Sequence, residues 1–290
     1  MAIELHTPSV ADLPAVVNAM RGWQLEGAPM QLHPGDIGWL WRFGGATTAA
    51  AVRTWTSDGR ILAVGMLDGA DLLRLTTAPG ARRDRELAGQ LADDLATPAR
   101  GILRAGRVFV EAPADAMLQD LLAAAGWDTD EPWTPLRRIL TEPVQHPGVR
   151  IEVVGTTLAE ARSAVQRSAF EGSTFTTERW QVMAAAPSYA DADARCLMAY
   201  DDDDNAVAAV TVWSAGDGRP GLLEPMGVHR DHRGRGYGRA IAIAAAAALR
   251  YLGSSSAIVC TRSSNLGGVA TYKSAGFEPL AEVRDRRRDA

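Results

Sequence analysis

At an offset of 150 residues the chain resembles itself, and that repeat limits its fold more than any other feature. Ala125-Gly126-Trp127 aligns with Ala275-Gly276-Phe277, each after a short helical pattern and before an extended, arginine-bearing segment. Arg107-Val-Phe-Val110 aligns with Ala257-Ile-Val-Cys260, two short β-type runs. Arg83 to Ala88, ahead of an Ala/Leu-rich stretch, aligns with Arg233 to Gly238, ahead of Ile241 to Leu249. Each copy opens with a β-type piece (Ile3–Leu5; Ile151–Val154), continues with a helical stretch (Ala11–Met20; Thr157–Phe170) and then shows paired strands around a turn (Ser57-Asp-Gly59; Asp201–Asn205). Such an order of elements reads as α/β: two tandem domains, each a mixed central β-sheet flanked by helices. The Pro- and Gly-bearing stretch 141–150 reads as a linker between domains at 1–140 and 151–290, and 290 residues suit two domains better than one.

Composition narrows the partners. With a net charge of −5 the chain lacks the basic balance of a general nucleic-acid binder. Cys196 and Cys260 make no metal-type or disulfide pattern, so no metal is expected. The four aspartates 201–204 lack the alternation and distal glutamate of a calcium loop and read as a solvated turn. The longest apolar run, Ala240–Leu249, is too short to cross a membrane, and the opening residues show no signal-peptide pattern. A cytoplasmic protein with no membrane partner is expected. Lys273 is the single lysine; arginine in its place elsewhere, with abundant Ala and Gly, suggests a GC-rich bacterial source.

The segment Leu222 to Arg239 carries the chemistry. An apolar strand runs into a loop with glycines at 234, 236 and 238, and an Ala-rich helix follows at once. Backbone N–H groups at a helix start have no internal partner, and the helix dipole favours an anion there. Glycine is required where a Cβ would block the approach of a phosphate or forbid the backbone angles. The spacing is neither the dinucleotide fingerprint nor the nucleoside triphosphate loop. It is Arg233-x-x-Gly236-x-Gly238.

That pattern, together with Val228-x-x-x-x-Arg233-Gly234-x-Gly236 and with Asn265 followed seven residues later by Tyr272 and then Gly276-Phe277, resembles the GNAT acetyltransferase superfamily. The resemblance is clear over about residues 151–283 and extends faintly, through the repeat, to the first half. It implies two tandem GNAT-like domains and acetyl-CoA as co-substrate. Backbone groups of Arg233, Gly234, Arg235, Gly236, Tyr237, Gly238 and Arg239 would hold the pyrophosphate, and Met226, Gly227 and Val228 would pair with the pantetheine arm. Asn265 would touch that arm or the splayed strand end. Tyr272 would stand near the thioester sulfur as general acid. Glu224, on the same strand as Met226, is the candidate base, acting through a water. Pro225, unusual inside a strand, would mark the bulge by which this family opens its sheet. Plainer roles stand beside these: a packed tyrosine, a surface carboxylate, and for Asn265 a helix N-cap. His229 and His232 read as flanking the pyrophosphate or as solvated, and Arg284 to Arg288 as a solvated strand end or tail, or else as a lure for an anionic substrate or the phosphates of CoA.

At the matching positions the first repeat has Glu86 for Gly236, Leu122 for Tyr272 and Asp115 for Asn265. A glutamate at the phosphate seat opposes binding by size and charge, so this half is expected to be degenerate and to bind no CoA. Tandem architecture with one active half resembles mycothiol synthase and some aminoglycoside or small-molecule acetyltransferases. The expected reaction is acetyl transfer to a primary amine of a small molecule; a protein or peptide amine, or a non-catalytic acyl-CoA sensor, are the alternatives, and a homodimer is kept open. Trp23, Trp39 and Trp41, in the weakly periodic segment 22–48, are candidates to line an acceptor pocket.

Overall fold

A computed structural model describes residues 2–190 and 193–289. In chain order its strands are β1 (Glu4–His6), β2 (Val52–Ser57), β3 (Arg60–Asp68), β4 (Leu72–Thr77), β5 (Val108–Glu111), β6 (Asp128–Ile139), β7 (Arg150–Val153), β8 (Ala194–Tyr200), β9 (Ala206–Trp213), β10 (Gly221–Val228), β11 (Ser256–Arg262), β12 (Glu278–Pro279) and β13 (Val283–Arg288). The α-helices are α1 (Leu13–Trp23), α2 (Pro34–Leu40), α3 (Gly45–Ala51), α4 (Arg85–Ala96), α5 (Met117–Ala124), α6 (Ala159–Ala169), α7 (Thr177–Ala184), α8 (Pro187–Ala190), α9 (Tyr237–Tyr251) and α10 (Leu266–Ser274).

The chain forms two compact units, and they differ from the expected spans 1–140 and 151–290 in three places: 34–44, 134–140 and 282–290. One unit comprises Met1–His33, Gly45–Trp133 and Glu282–Ala290; the other comprises Pro34–Gly44 and Thr134–Ala281. Each repeat thus lends a segment to the other's unit. Long-range pairing and packing set these boundaries, and they leave no local signal in the sequence. Residues 141–149 carry no helix or strand and lie within the second of these units.

In the first unit the strand order is β1-β2-β3-β4-β5-β13-β6, with β4 and β5 parallel. The β2–β3 hairpin closes at Asp58 and Gly59, both at positive φ (50° and 73°), as a two-residue hairpin turn demands. Helix α4 buries Leu87, Ala88, Leu91 and Leu95 at helical spacing, and α5 buries Leu118 and Leu122. The arginine-rich segment expected to be a solvated end is instead the strand β13, paired with β5 on one side and β6 on the other. Its guanidinium groups find acceptors: Arg286 Nε donates to Gln119 Oε1 (2.8 Å), and Arg288 donates to the carbonyls of Leu95 and Arg104 (3.1 and 2.7 Å). Long stems under paired heads let a charged segment occupy an interior strand, which hydropathy does not reveal.

Asp285, in that strand, is half-buried, and burial pushes its carboxyl up to about 7, with Glu111 and Asp130 adding to the rise and Arg74 opposing it. A raised acid binds its proton in the folded state first. Stability from this group is therefore full below about pH 4 and is lost as pH rises through about 7. Asp285→Asn is expected to raise Tm at pH 8, by roughly 2 kcal/mol of stability after allowance for partial solvent screening, and to gain much less at pH 5. Thermal melts of the two proteins at both pH values check this.

In the second unit the order is β6-β11-β10-β9-β8-β7, with β12 also on β6. Helix α9 is the Ala-rich run of the sequence. Residues 240–246 are all buried, so the helix is apolar all round and lies in the core with Leu197, Val210, Leu223 and Val259. Helices α6 and α7 bury Val165, Trp180 and Met183.

Candidate active site

The candidate site lies where β10 parts from β11. Toward β9, β10 is paired antiparallel at Leu222, Leu223, Met226, Gly227 and Val228, with a register shift between Leu223 and Met226. Three steps on β10 match two on β9 (Val212 to Val210), so Glu224 and Pro225 form a bulge. Toward β11, the parallel pairing among the described residues covers Gly221 and Leu222 alone. From the bulge onward, Met226, Gly227 and Val228 keep one edge on β9 and turn the other toward the gap between β10 and β11. A free strand edge of this kind takes an extended ligand as an added strand. Gly227 is dictated by close approach: a Cβ there would lie 2.5 Å from Ala169 Cβ and 2.8 Å from the Phe170 ring, at the end of α6.

After β10 the chain passes through a short 3-10 turn, Arg230–His232, into the glycine loop. Gly234 and Gly236 sit at φ +76° and +88°, which other residues rarely adopt, and the space where their Cβ atoms would stand is open. Gly236 is the N-cap of α9 and offers no side-chain cap. The N–H groups of the first turn, at Tyr237, Gly238 and Arg239, have no intrahelical partner and point out of the helix end. Gly238 lets α10 come close: its Cβ would meet Thr271 Cγ2 at 2.9 Å. Three arginines tie the loop to its surroundings. Arg233 donates to Ala169 O (2.7 Å), Arg239 to Ser274 O (3.0 Å), and the Arg230 amide to Ser168 Oγ (3.1 Å). Arg235 is exposed. His229, His232 and Tyr237 form a chain of edge-on rings, with centroids 5.4 and 6.2 Å apart.

Tyr272 lies on α10, 7% exposed, with its ring edge-on to Phe277 (5.8 Å between centroids). Burial pushes its phenol pKa up, and the Glu224 carboxylate and the Cys260 thiol push it further. The fold therefore brings three groups from β10, β11 and α10 into one electrostatic neighbourhood. Cys260 is partly exposed and belongs to this group. Its place at the far end of a strand aligned with β10 was the available signal. Asn265 caps α10: its side chain accepts from the Gly268 amide and donates to Thr261 Oγ1, both at 3.0 Å. A Cβ at Gly268 would stand 2.4 Å from that amide group, which is why glycine follows there.

The first repeat has closed the equivalent place with its own side chains. Asp84 is the N-cap of α4, and its carboxylate accepts from the Leu87 amide at 2.8 Å. Arg82 pairs with Asp115 (3.1 Å) and Arg83 with Asp120 (3.0 Å). Arg74, the counterpart of Glu224, pairs with Glu111 at 2.8 Å, linking β4 to β5. Leu122, the counterpart of Tyr272, is 1% exposed. One helix start carries a built-in anion; the other is open to receive one.

Residues 159–277 match the Acetyltransferase (GNAT) family. The second repeat, at residues 159–277, is similar to the GNAT acetyltransferases. Solved structures resemble it over nearly their whole length. A GCN5-related N-acetyltransferase from Sphaerobacter thermophilus is 20% identical, with a TM-score of 0.60 over 99% of this chain and 95% of its own. A tandem GNAT protein from the clavulanic acid biosynthesis pathway is 17% identical (TM-score 0.58; 99% and 98% covered), and a GNAT-family acetyltransferase from Colwellia psychrerythraea is 14% identical (0.62; 99% of each). No curated protein matches the sequence. The tandem GNAT-like fold and the acyltransferase class follow from the family and the fold. GNAT enzymes draw on an acyl-CoA and an amine acceptor. Among the described residues no helix is long and apolar enough to cross a membrane, and no cluster of His, Cys, Asp or Glu is placed to hold a metal. A cleft of about 560 Å³ bounded by His146, Arg150, Asp202 and the α9 alanines 244, 247 and 248 shares none of the site's residues.

Proposed function

We propose that the second repeat transfers an acetyl group from acetyl-CoA to a primary amine of a small molecule, by direct attack, and that the first repeat binds no CoA. The contrast between the two helix starts carries this reading: α9 begins at an uncapped Gly236, while α4 begins at a carboxylate already bonded to its own first turn. The uncapped turn suits a diphosphate, and the free edge of Met226–Val228 suits the amides of a pantetheine arm. Together they would direct the thioester to the gap between β10 and β11, beside Tyr272 and Glu224.

In that setting Glu224, directly or through a water, takes a proton from the ammonium, since an alkylamine is mostly protonated at neutral pH. The neutral nitrogen attacks the thioester carbon, the C–S bond breaks, and the amide forms. Tyr272 supplies a proton to the leaving thiolate, and the proton shed by the amide nitrogen restores the phenol. A buried phenol with a raised pKa holds its proton until the thiolate leaves. Trp39, a candidate to line the acceptor pocket, stacks on Phe175 in the α6–α7 connection (5.2 Å between centroids, interplanar 28°).

Calorimetric titration of acetyl-CoA into the full chain tests the reading. One site per chain is expected. Two sites would overturn the closed first repeat. No heat and no thermal stabilisation at millimolar acetyl-CoA would overturn the enzyme. A sensor that binds without turning over would show one site and no CoA release with any amine.

A further inference from the structure

The bulge that presents Glu224 is held from behind by one tryptophan. Trp213, the last residue of β9, is 1% exposed, and its indole Nε1 donates to the main-chain carbonyl of Glu224 at 2.7 Å. A bulge lifts a residue out of the regular ladder, so its carbonyl needs a partner from elsewhere. The indole N–H supplies one, and its reach sets how far the bulge stands off β9.

The ring has little freedom. Tyr189 packs edge-on against it (6.0 Å, 77°), and Trp180 packs edge-on against Tyr189 (6.4 Å, 79°). On a further side lies Gly35, in α2. A Cβ at Gly35 would fall 2.5 Å from both Cβ and Cγ of Trp213. Gly35 is not at a positive φ, so backbone angles do not demand glycine here; the contact with Trp213 does. Helix α2 belongs by sequence to the first repeat and by packing to the second unit.

We propose that Trp213 is a positioning residue for Glu224 and that Gly35 sets the place of its ring, so the first repeat takes part in the reaction by lending α2 rather than by binding a ligand. The proposal rests on the reading of Glu224 as the base. It assigns Trp213 no contact with substrate.

The test compares Trp213→Phe, which keeps a ring and removes the N–H, and Gly35→Ala, which keeps the N–H and displaces the ring. CoA release from acetyl-CoA is followed with benzylamine as probe nucleophile and with water alone, for the wild type, both variants, Glu224→Gln and the double variant Trp213→Phe/Glu224→Gln. About a tenfold fall in kcat is expected for Trp213→Phe, with KM for acetyl-CoA within twofold, and a fall in the same direction for Gly35→Ala. On the Glu224→Gln background the loss of the indole N–H is expected to cost nothing more, because residues acting through one another do not add. Wild-type kcat in both variants, or the same tenfold loss with and without Glu224, would overturn the proposal while leaving the enzyme reading intact. Wild-type activity in Glu224→Gln, or no CoA release by the wild type at all, would overturn the reading of the base and the proposal with it. Should Trp213→Phe fail to fold, Gly35→Ala alone and combined with Glu224→Gln decides the matter by the same arithmetic.

Discussion

Gly236→Glu is expected to weaken acetyl-CoA binding by more than a hundredfold while leaving the fold standing. The substitution copies into the second repeat the residue that occupies this place in the first. Open space surrounds the place where its Cβ would stand. The cost to stability is the left-handed backbone angle, about 1–2 kcal/mol for a residue with a Cβ. The cost to binding is larger. A carboxylate about 5 Å from a diphosphate is repelled by roughly 3 kcal/mol per unit charge at an effective dielectric near 20, and its bulk also bars the phosphates from the first-turn amides. Gly236→Ala separates the two effects: it carries the backbone cost without the charge and is expected to lose about tenfold. Calorimetry on both variants, with thermal melts to show that each is folded, gives the comparison. Wild-type affinity in Gly236→Glu would mean that the diphosphate sits elsewhere.

Tyr272→Phe is expected to lower kcat by about a hundredfold with the dissociation constant for acetyl-CoA within twofold of wild type. Positioned proton donors contribute about 10²–10⁴ in rate, and the lower end suits a thiolate, which leaves more readily than an alkoxide. Phenylalanine keeps the ring that packs edge-on to Phe277, so the loss is one hydroxyl and its proton rather than a cavity. The pH dependence follows from the same surroundings. Burial, Glu224 and Cys260 all raise the phenol's pKa, so its proton is retained well above neutrality. The acid function of Tyr272 is therefore expected to persist at pH 9, with no alkaline decline arising from this group. Steady-state CoA release across pH 6 to 9.5, for wild type and variant, measures both effects. An unchanged kcat in Tyr272→Phe would remove the tyrosine from the reaction.

Much of the site was legible in order along the chain. The glycines at 234, 236 and 238 follow from local backbone geometry and close approach, which leave few residue choices and so mark the sequence. Asn265 was readable as a helix N-cap for the same reason: a side chain bonding three residues ahead is a local event. The bulge at Glu224 and Pro225 was readable because proline cannot continue a strand ladder. Less legible was the closure of the first repeat. Glu86 drew notice as a glycine's replacement, but the group that caps α4 is Asp84, and the ion pairs of Arg82, Arg83 and Arg74 depend on partners more than thirty residues away.

By itself, the sequence determined that this is a two-fold α/β repeat, with a glycine loop before one helix start and Glu86 in place of a glycine in the other copy. Periodicity, turn residues and positive-φ glycines are constraints a chain meets within a few residues, so they are written there. Only the tertiary structure decided which segments complete which unit: β13 pairs within the first, and α2 packs within the second. It also brought Tyr272, Glu224 and Cys260 together and set Trp213 against the bulge. Those arrangements rest on strand register and on contacts between residues far apart in the chain, where many sequences satisfy the same packing and no local pattern announces it.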